Sequence, residues 1–114
     1  MDAFEVADLI AARERPEHVY ADFIRSDLLS VGLATWPAGT ADTQQPHTED
    51  EVYYVVQGRA RMTVAGERRP VGPGSIVYVA TGVEHRFTDI EEDLHVLVFW
   101  APPYRSQQKP PAAE

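Results

Sequence analysis

Short runs of apolar and polar residues, separated by glycine and proline, form the main pattern along this chain. The clearest run is 51–56 (EVYYVV), rich in the β-branched and aromatic residues that favour strands. Runs at 28–36 (LLSVGLATW) and 94–100 (LHVLVFW) have the same character, and each is followed by a proline within two residues. Weaker runs that also predict strands lie at 19–25, 59–65, 67–71, 75–79 and 85–88. The pattern is typical of a fold built from many short strands.

One segment departs from the strand pattern. Residues 3–13 carry apolar side chains at positions 6, 9 and 10 among good helix formers, which predicts one or two helical turns that Pro16 ends. With a single short helix, parallel βαβ architectures are excluded, and an all-β sandwich or barrel is expected. We expect one domain over residues 1–104 and a mobile polar tail over 105–114.

Composition and charge narrow the class of protein. The 114 residues are 44% hydrophobic and 25% charged, which indicates a folded soluble domain. No apolar run approaches the roughly 20 residues of a membrane helix. The acidic start lacks the basic front of a secretory signal, so a cytoplasmic protein is expected. A net charge of -8 disfavours nucleic acid and anionic membranes as partners.

The candidate chemistry begins in the polar loop before the strongest predicted strand. Gln45, His47 and Glu51 fall at two- and four-residue steps, which keep side chains on one face of an extended chain. Tyr53 follows Glu51 by two residues and is expected on the same face. A carboxylate that faces a barrel interior is costly unless it is paired or bound to a cation. On spacing alone, a solvated and idle surface loop explains His47 and Glu51 equally well.

A second segment, 74–89 (GSIVYVATGVEHRFTD), brings a further histidine, His85. It opens a separate predicted strand and would approach the first segment from across the barrel. Because the chain has no cysteine, any metal site must use histidine, carboxylate or amide ligands. Two histidines and one carboxylate with open positions form the pattern of non-haem iron sites and of related manganese, nickel and zinc sites.

The spacing within the two segments resembles the paired motifs of the cupin family. The first family motif is G-x5-H-x-H-x3–4-E-x6-G, and the second is G-x5-P-x-G-x2-H-x3-N. The residues at the first set of positions are Gly39, Gln45, His47, Glu51 and Gly58. The residues at the second set are Gly74, Ala80, Gly82, His85 and Asp89. Every spacing fits, while Gln45, Ala80 and Asp89 depart from the family residue types.

This resemblance implies a fold and a site. It implies a single-domain cupin, a jelly-roll (double-stranded β-helix) barrel with a short N-terminal helix. It also implies one divalent metal ion (Fe, Mn, Ni or Zn) on Gln45, His47, Glu51 and His85. A three-ligand site with water in place of Gln45 and a metal-free cupin are the alternatives. Tyr53 resembles a tyrosine of the cupin dimethylsulfoniopropionate lyases and is a candidate acid or base, or a packed core residue.

The same resemblance implies a function class. The expected protein is a metal-dependent enzyme on a small oxygen-bearing organic substrate, with dioxygenase-like chemistry or isomerase or lyase chemistry. A non-catalytic binding or sensor cupin is the alternative, with the small molecule bound in the barrel mouth. A homodimer is expected, with residues 19–36 as the natural partner edge, and a structural cupin that merely dimerises is the third possibility.

Overall fold

One short helix and eight strands form the described part of the chain. The computed structural model describes residues 1–12 and 19–106; Pro16, His18 and most of the predicted tail, 107–114, lie outside the described residues. The helix, α1, is Val6–Ala11. The strands are β1 Val19–Arg25, β2 Ser30–Trp36, β3 Asp50–Gln57, β4 Ala60–Val64, β5 Glu67–Val71, β6 Ile76–Val79, β7 His85–Thr88 and β8 Leu94–Ala101.

The strands form two antiparallel sheets that enclose one core. The larger sheet has the order β1-β2-β8-β3-β6, and the smaller has the order β5-β4-β7. All of their pairings are antiparallel. The prediction of an all-β jelly roll with a short N-terminal helix is therefore confirmed. In the described residues no helix has the length and apolar character to cross a membrane.

The turn between β3 and β4, which carries the chain from the larger sheet to the smaller one, shows why β3 ends where the sequence predicts. Gly58 has φ +97°, a left-handed conformation that side chains disfavour. A Cβ atom there would lie 2.4 Å from the backbone oxygen of Asp93, so position 58 has no room for a side chain. The tight turn fixes which residues of β3 face the core.

One end of the interior is entirely apolar. We call it the apolar end and define it by five side chains that are each at most 5% exposed: Trp36, Met62, Phe87, Ile90 and Leu94. The Trp36 and Phe87 rings pack with centroids 5.0 Å apart. Leu94 pairs with Trp36 across β8 and β2, and Met62 pairs with Phe87 across β4 and β7. This end therefore closes both sheets onto each other through side chains that carry no ionisable group.

Two aromatic residues lie on the outer face of the larger sheet. Tyr78 and Phe99 both pair with Val52, on the outer face of β3, and both side chains are exposed. They do not wall an interior pocket, whereas Trp36 and Trp100 do. The interior aromatic wall is consequently smaller than the aromatic content of the chain suggests.

Candidate metal centre

Three buried side chains bring nitrogen and oxygen donors together at the other end of the interior. We call His47, Glu51 and His85 the donor cluster; one ligand atom from each lies within 4.8 Å of the others. Glu51 Oε1 is 2.8 Å from His85 Nε2 and 3.8 Å from His47 Nε2. The side chains of Glu51 and His85 are fully buried, and that of His47 is 14% exposed. Sequence spacing predicted this meeting, and the role of the cluster in metal binding stays a prediction.

Different elements position the three donors. Glu51 lies near the start of β3 with its side chain inward, as the burial of Tyr53 and Val55 at the following even steps also shows. His85 is the first residue of β7, in the opposite sheet. His47 lies in the loop before β3, where its backbone oxygen accepts a hydrogen bond from Gly82 N at 2.8 Å. The loop before β7 therefore holds the loop before β3 in place.

The hydrogen bond on the far side of the His85 ring decides which nitrogen faces the cluster. His85 Nδ1 lies 2.8 Å from the backbone oxygen of Val83, which can only accept a hydrogen bond. In the neutral ring the proton is therefore assigned to Nδ1, and the Nε2 lone pair faces Glu51. A histidine that ligates a metal commonly donates its other N–H to a backbone carbonyl in this way.

Glu51 is buried without hydrogen-bond donors. Neither of its carboxylate oxygens has a hydrogen-bond partner among the described residues. The 2.8 Å approach of Oε1 to His85 Nε2 is short enough for a hydrogen bond, but its geometry is not that of one. A buried ionised carboxylate is strongly unfavourable unless a cation or donor compensates it. Glu51 therefore lies in a position that a bound cation would satisfy.

The environment shifts the pKa values of the cluster in opposite directions. Burial lowers the pKa of His47, and this effect outweighs the opposing Glu51 carboxylate. Burial also acts to lower the pKa of His85, but the nearby Glu51 carboxylate and the Val83 carbonyl together raise it. Burial, and next the Glu51 charge, raise the pKa of Tyr53 well above its usual value, so its phenol stays protonated at neutral pH.

The structure corrects the expectation that Gln45 is the fourth donor. Gln45 is exposed, and its amide nitrogen donates to the backbone oxygen of Thr43 at 3.4 Å. The neighbouring Gln44 instead places Oε1 3.1 Å from the Nε2 atoms of both histidines. The reason is that residues 40–49 are not a strand, so the two-residue alternation of β3 does not extend back to position 45.

A second residue that the sequence did not suggest is Asp42. Its side chain is buried, and it bonds to Gln44 and to the backbone of Phe87. An aspartate that accepts the N–H two residues later is a common turn in polar loops. An aspartate at position 42 is therefore the sequence signal that the strand-like alternation of side chains is broken in this loop.

A small cavity lies beside the donor cluster. It has a volume of about 70 Å³ and is lined by Tyr20, Ala34, Trp36, Gln44, His47, Tyr53, Val98, Trp100 and Tyr104. The Tyr53 hydroxyl donates to Gln44 Oε1 at 3.0 Å. The Trp100 ring stands edge-on to His47, with centroids 4.8 Å apart. The cavity thus joins an aromatic wall to the polar atoms of the cluster.

The other acids and histidines do not join the cluster. Of the two carboxylates beside Glu51, Glu49 is buried against the Thr48 hydroxyl, and Asp50 accepts two hydrogen bonds from Thr81. His95 contacts Thr35 through Nδ1 at 3.1 Å. His18 lies outside the described residues.

The donor atoms fit a first-row divalent metal ion. Histidine nitrogens and carboxylate oxygens bind such ions at about 2.0–2.2 Å, so neighbouring ligand atoms lie about 2.8–3.6 Å apart. The separation from Glu51 Oε1 to His85 Nε2, 2.8 Å, lies within this range, and that to His47 Nε2, 3.8 Å, is slightly longer, so a bound ion would draw His47 inward. Together with the unpartnered carboxylate, these distances support a site of two imidazoles and one carboxylate.

Known proteins share both the sequence pattern and the fold. The cupin domain family matches residues 32–101. An uncharacterised protein of Streptomyces coelicolor is 50% identical over 103 residues, which cover 90% of this chain and 98% of that protein.

Solved structures extend this likeness to the fold. The TT1209 protein of Thermus thermophilus superposes with a TM-score of 0.76 and 24% identity, over 90% of this chain and 99% of that one. The DMSP lyase DddQ of Ruegeria pomeroyi superposes with a TM-score of 0.72 and 24% identity, over 85% of this chain and 54% of that one. At these identities the similarity establishes a shared jelly-roll fold.

Proposed function

This chain belongs to the cupin domain family, and from that premise we propose that it is a small metal-dependent enzyme acting on an oxygen-bearing organic substrate. The observation that carries the proposal is the buried carboxylate of Glu51, which faces the imidazoles of His47 and His85 and has no hydrogen-bond partner within residues 1–12 and 19–106. A protein that needed only a stable core gains little from this arrangement, because a buried carboxylate costs free energy that an apolar side chain in the same place would not.

The chain's own residues would hold one divalent metal ion of the first transition row. His47 Nε2, His85 Nε2 and Glu51 Oε1 are the ligand atoms, and the Val83 carbonyl keeps the His85 ring in the required tautomer. Such an ion, when bound, polarises substrate oxygen atoms or activates dioxygen at the positions that the protein leaves open.

The cavity indicates how a substrate would be oriented. Among the lining residues none is lysine or arginine, so an anionic group of the substrate would find its counter-charge only at the metal. The lining also includes the apolar side chains of Trp36, Val98 and Trp100. The substrate would therefore point its oxygen atoms toward the donor cluster and its apolar part toward the aromatic wall.

Tyr53 is the candidate acid at this site. Its hydroxyl reaches Gln44 Oε1 at 3.0 Å, and its raised pKa keeps it protonated. Tyr53 would therefore act as an acid and donate a proton to a substrate oxygen or leaving group. Proton transfer of this kind belongs to isomerase or lyase chemistry, and the lyase activity named for the Ruegeria protein supports that class. The two-imidazole, one-carboxylate set supports dioxygenase-like chemistry as the second class.

Reconstitution followed by turnover tests the proposal. The purified chain is stripped with a chelator and loaded in turn with Fe²⁺, Mn²⁺, Ni²⁺ and Zn²⁺, and bound metal is measured by elemental analysis. We expect one ion per chain, and metal-dependent turnover of at least one compound in a panel of small carboxylates, sugars and catechols. Dioxygen consumption separates oxidation from isomerase or lyase chemistry. A wild-type chain that retains none of these metals overturns the proposal.

A non-catalytic binding protein is the second candidate. The small volume of the cavity, about 70 Å³, favours it, because such a space holds only a few heavy atoms beside the cluster. A non-catalytic function predicts that the metal-loaded chain binds compounds of the panel in calorimetry and leaves them chemically unchanged.

A further inference from the structure

We infer that Asp42 is a positioning residue, which turns the Gln44 side chain so that its carbonyl oxygen supplies a fourth donor beside the donor cluster. The inference rests on the proposed metal site and extends it to two residues outside the cluster. It assigns the neutral oxygen donor to position 44, whereas sequence spacing assigns it to position 45.

Asp42 decides the orientation of the Gln44 amide. The Asp42 side chain is buried, and its Oδ2 atom accepts a hydrogen bond from Gln44 Nε2 at 2.6 Å. An ionised carboxylate can only accept hydrogen bonds, so the group that faces Asp42 must be the NH₂ group of the amide. The carbonyl oxygen Oε1 is consequently the atom that faces the cavity. Because oxygen and nitrogen of an amide are assigned from such partners, this contact is the decisive one.

Two backbone contacts hold the Asp42 carboxylate itself. Oδ2 also accepts from Phe87 N at 2.8 Å, and Oδ1 accepts from Gln44 N at 3.0 Å. Phe87 lies on β7 two residues after His85, so the strand that carries one metal ligand also anchors the carboxylate. The loop and β7 are thereby fixed relative to each other, and the position of Gln44 follows from both.

Three polar groups approach the Gln44 carbonyl oxygen. Tyr53 Oη, His47 Nε2 and His85 Nε2 lie 3.0, 3.1 and 3.1 Å from it. A carbonyl oxygen has two lone pairs, and the His85 proton is already assigned to Nδ1. When the His47 ring also carries its proton on Nδ1, two imidazole lone pairs and one carbonyl lone pair converge here, which is a donor set for a cation. With Tyr53 donating to one lone pair, the other remains available.

The opposite orientation of the amide would abolish the fourth donor. An amide NH₂ group has no free lone pair, and it would direct hydrogens toward the two imidazole nitrogens. Asp42 therefore acts on the site only through Gln44. The effects of substituting Asp42 and Gln44 on metal affinity should then be non-additive. Residues that support metal ligands in this manner typically change metal affinity by about 10- to 100-fold.

A double-mutant cycle with Zn²⁺ tests the coupling. Asp42→Asn, Gln44→Ala and the double variant are compared with the wild-type chain, by competition against a chromophoric chelator. We expect each single variant to bind Zn²⁺ about 10- to 100-fold more weakly, and the double variant to be no weaker than Gln44→Ala alone. The inference is overturned if Asp42→Asn lowers Zn²⁺ affinity by the same factor with Gln44→Ala as without it, or if Asp42→Asn alone leaves Zn²⁺ affinity unchanged. Circular dichroism of the four metal-free proteins controls for unfolding.

A measurement without metal separates this inference from the proposed function. In the metal-free wild-type chain, the side-chain NH₂ protons of Gln44 should exchange with water at least about tenfold more slowly than those of exposed Gln45, because Asp42 holds them in a buried bond. Asp42→Asn should remove the difference. Equal exchange of the two glutamines in the wild type overturns the assigned orientation. A chain that shows the protection and binds no metal retains the orientation, but refutes both the proposed function and the fourth-donor role.

Discussion

The two ends of the barrel interior are built on the same strands and differ in what they bury. On β7, His85 and Phe87 both face inward, two residues apart, and on β3 the inward series runs from Glu51 through Tyr53 to Val55. Within one or two steps along a strand, the interior changes from ionisable donors to apolar packing. We call the first region the polar end, defined by Gln44, His47, Glu51, Tyr53 and His85.

The difference between the ends separates stability from function. Apolar side chains at the apolar end gain free energy by leaving water and need no partners. The polar end contains a carboxylate without donors, and its burial costs free energy in the absence of a cation. Substitutions at the apolar end should therefore change unfolding, and substitutions at the polar end should change metal binding. The following predictions test this division.

The largest expected effect is the loss of metal in Glu51→Gln. The substitution removes the only charged ligand of the donor cluster, so Zn²⁺ affinity should fall more than about 100-fold, beyond the loss typical of a supporting residue. The free energy of unfolding of the metal-free protein should not fall, because the substitution removes a buried charge and the new amide can donate to His85 Nε2. Elemental analysis and urea denaturation measure the two quantities.

Glu49→Gln is the matched control for this variant. Glu49 is a buried carboxylate two residues away that does not join the donor cluster. It should retain one Zn²⁺ per chain. Full metal content in Glu51→Gln, or equal losses in both variants, would contradict the separate role of Glu51.

Tyr53→Phe should produce the next largest effect, mainly on turnover. The ring that packs against Phe87 at 5.2 Å is kept, while the hydroxyl on Gln44 is lost. For a general acid we expect turnover of the metal-loaded enzyme to fall about 10²- to 10⁴-fold. The free energy of unfolding should fall by about 0.5–1.5 kcal/mol. Undiminished turnover would make Tyr53 a packing residue.

Leu94→Ala should have the opposite profile. Leu94 is fully buried at the apolar end, so its truncation should lower the free energy of unfolding by about 2–5 kcal/mol. Metal stoichiometry of the folded fraction should stay at one per chain, because Leu94 is not among the cluster residues. Urea denaturation and elemental analysis check both, and loss of metal from a folded variant would show that the two ends are coupled.

The smallest expected effect is that of Gln45→Ala. Gln45 is exposed and bonds only within its own loop. Its removal should change Zn²⁺ affinity by less than about twofold and the free energy of unfolding by less than about 0.5 kcal/mol. A chelator competition that shows a tenfold loss would return the fourth donor to position 45.

The sequence predicted the polar end correctly where the chain is a strand. Alternation along β3 places Glu51 and Tyr53 inward. The spacing to His47 and the distance to Gly58 distinguish Glu51 from the two carboxylates that precede it. The outward positions of Tyr78 and Phe99 could not be predicted in this way. They follow from the pairing of both residues with the outward Val52, and the sequence does not contain this pairing register.

Alternation failed in the loop before β3. Between positions 42 and 49 the backbone follows side-chain hydrogen bonds rather than a ladder, and Asp42 bonds to the backbone of Gln44 and of distant Phe87. Two adjacent glutamines offered no way to choose between them by residue type. The choice depends on a contact across 45 residues of sequence, and tertiary structure alone supplies it.

The most direct test of the central claim is an anomalous diffraction map of crystals loaded with Zn²⁺. The account predicts one strong peak in the interior, about 2.0–2.2 Å from His47 Nε2, Glu51 Oε1 and His85 Nε2. A map with no peak between these atoms, in crystals that bind Zn²⁺ elsewhere on the protein, would contradict it.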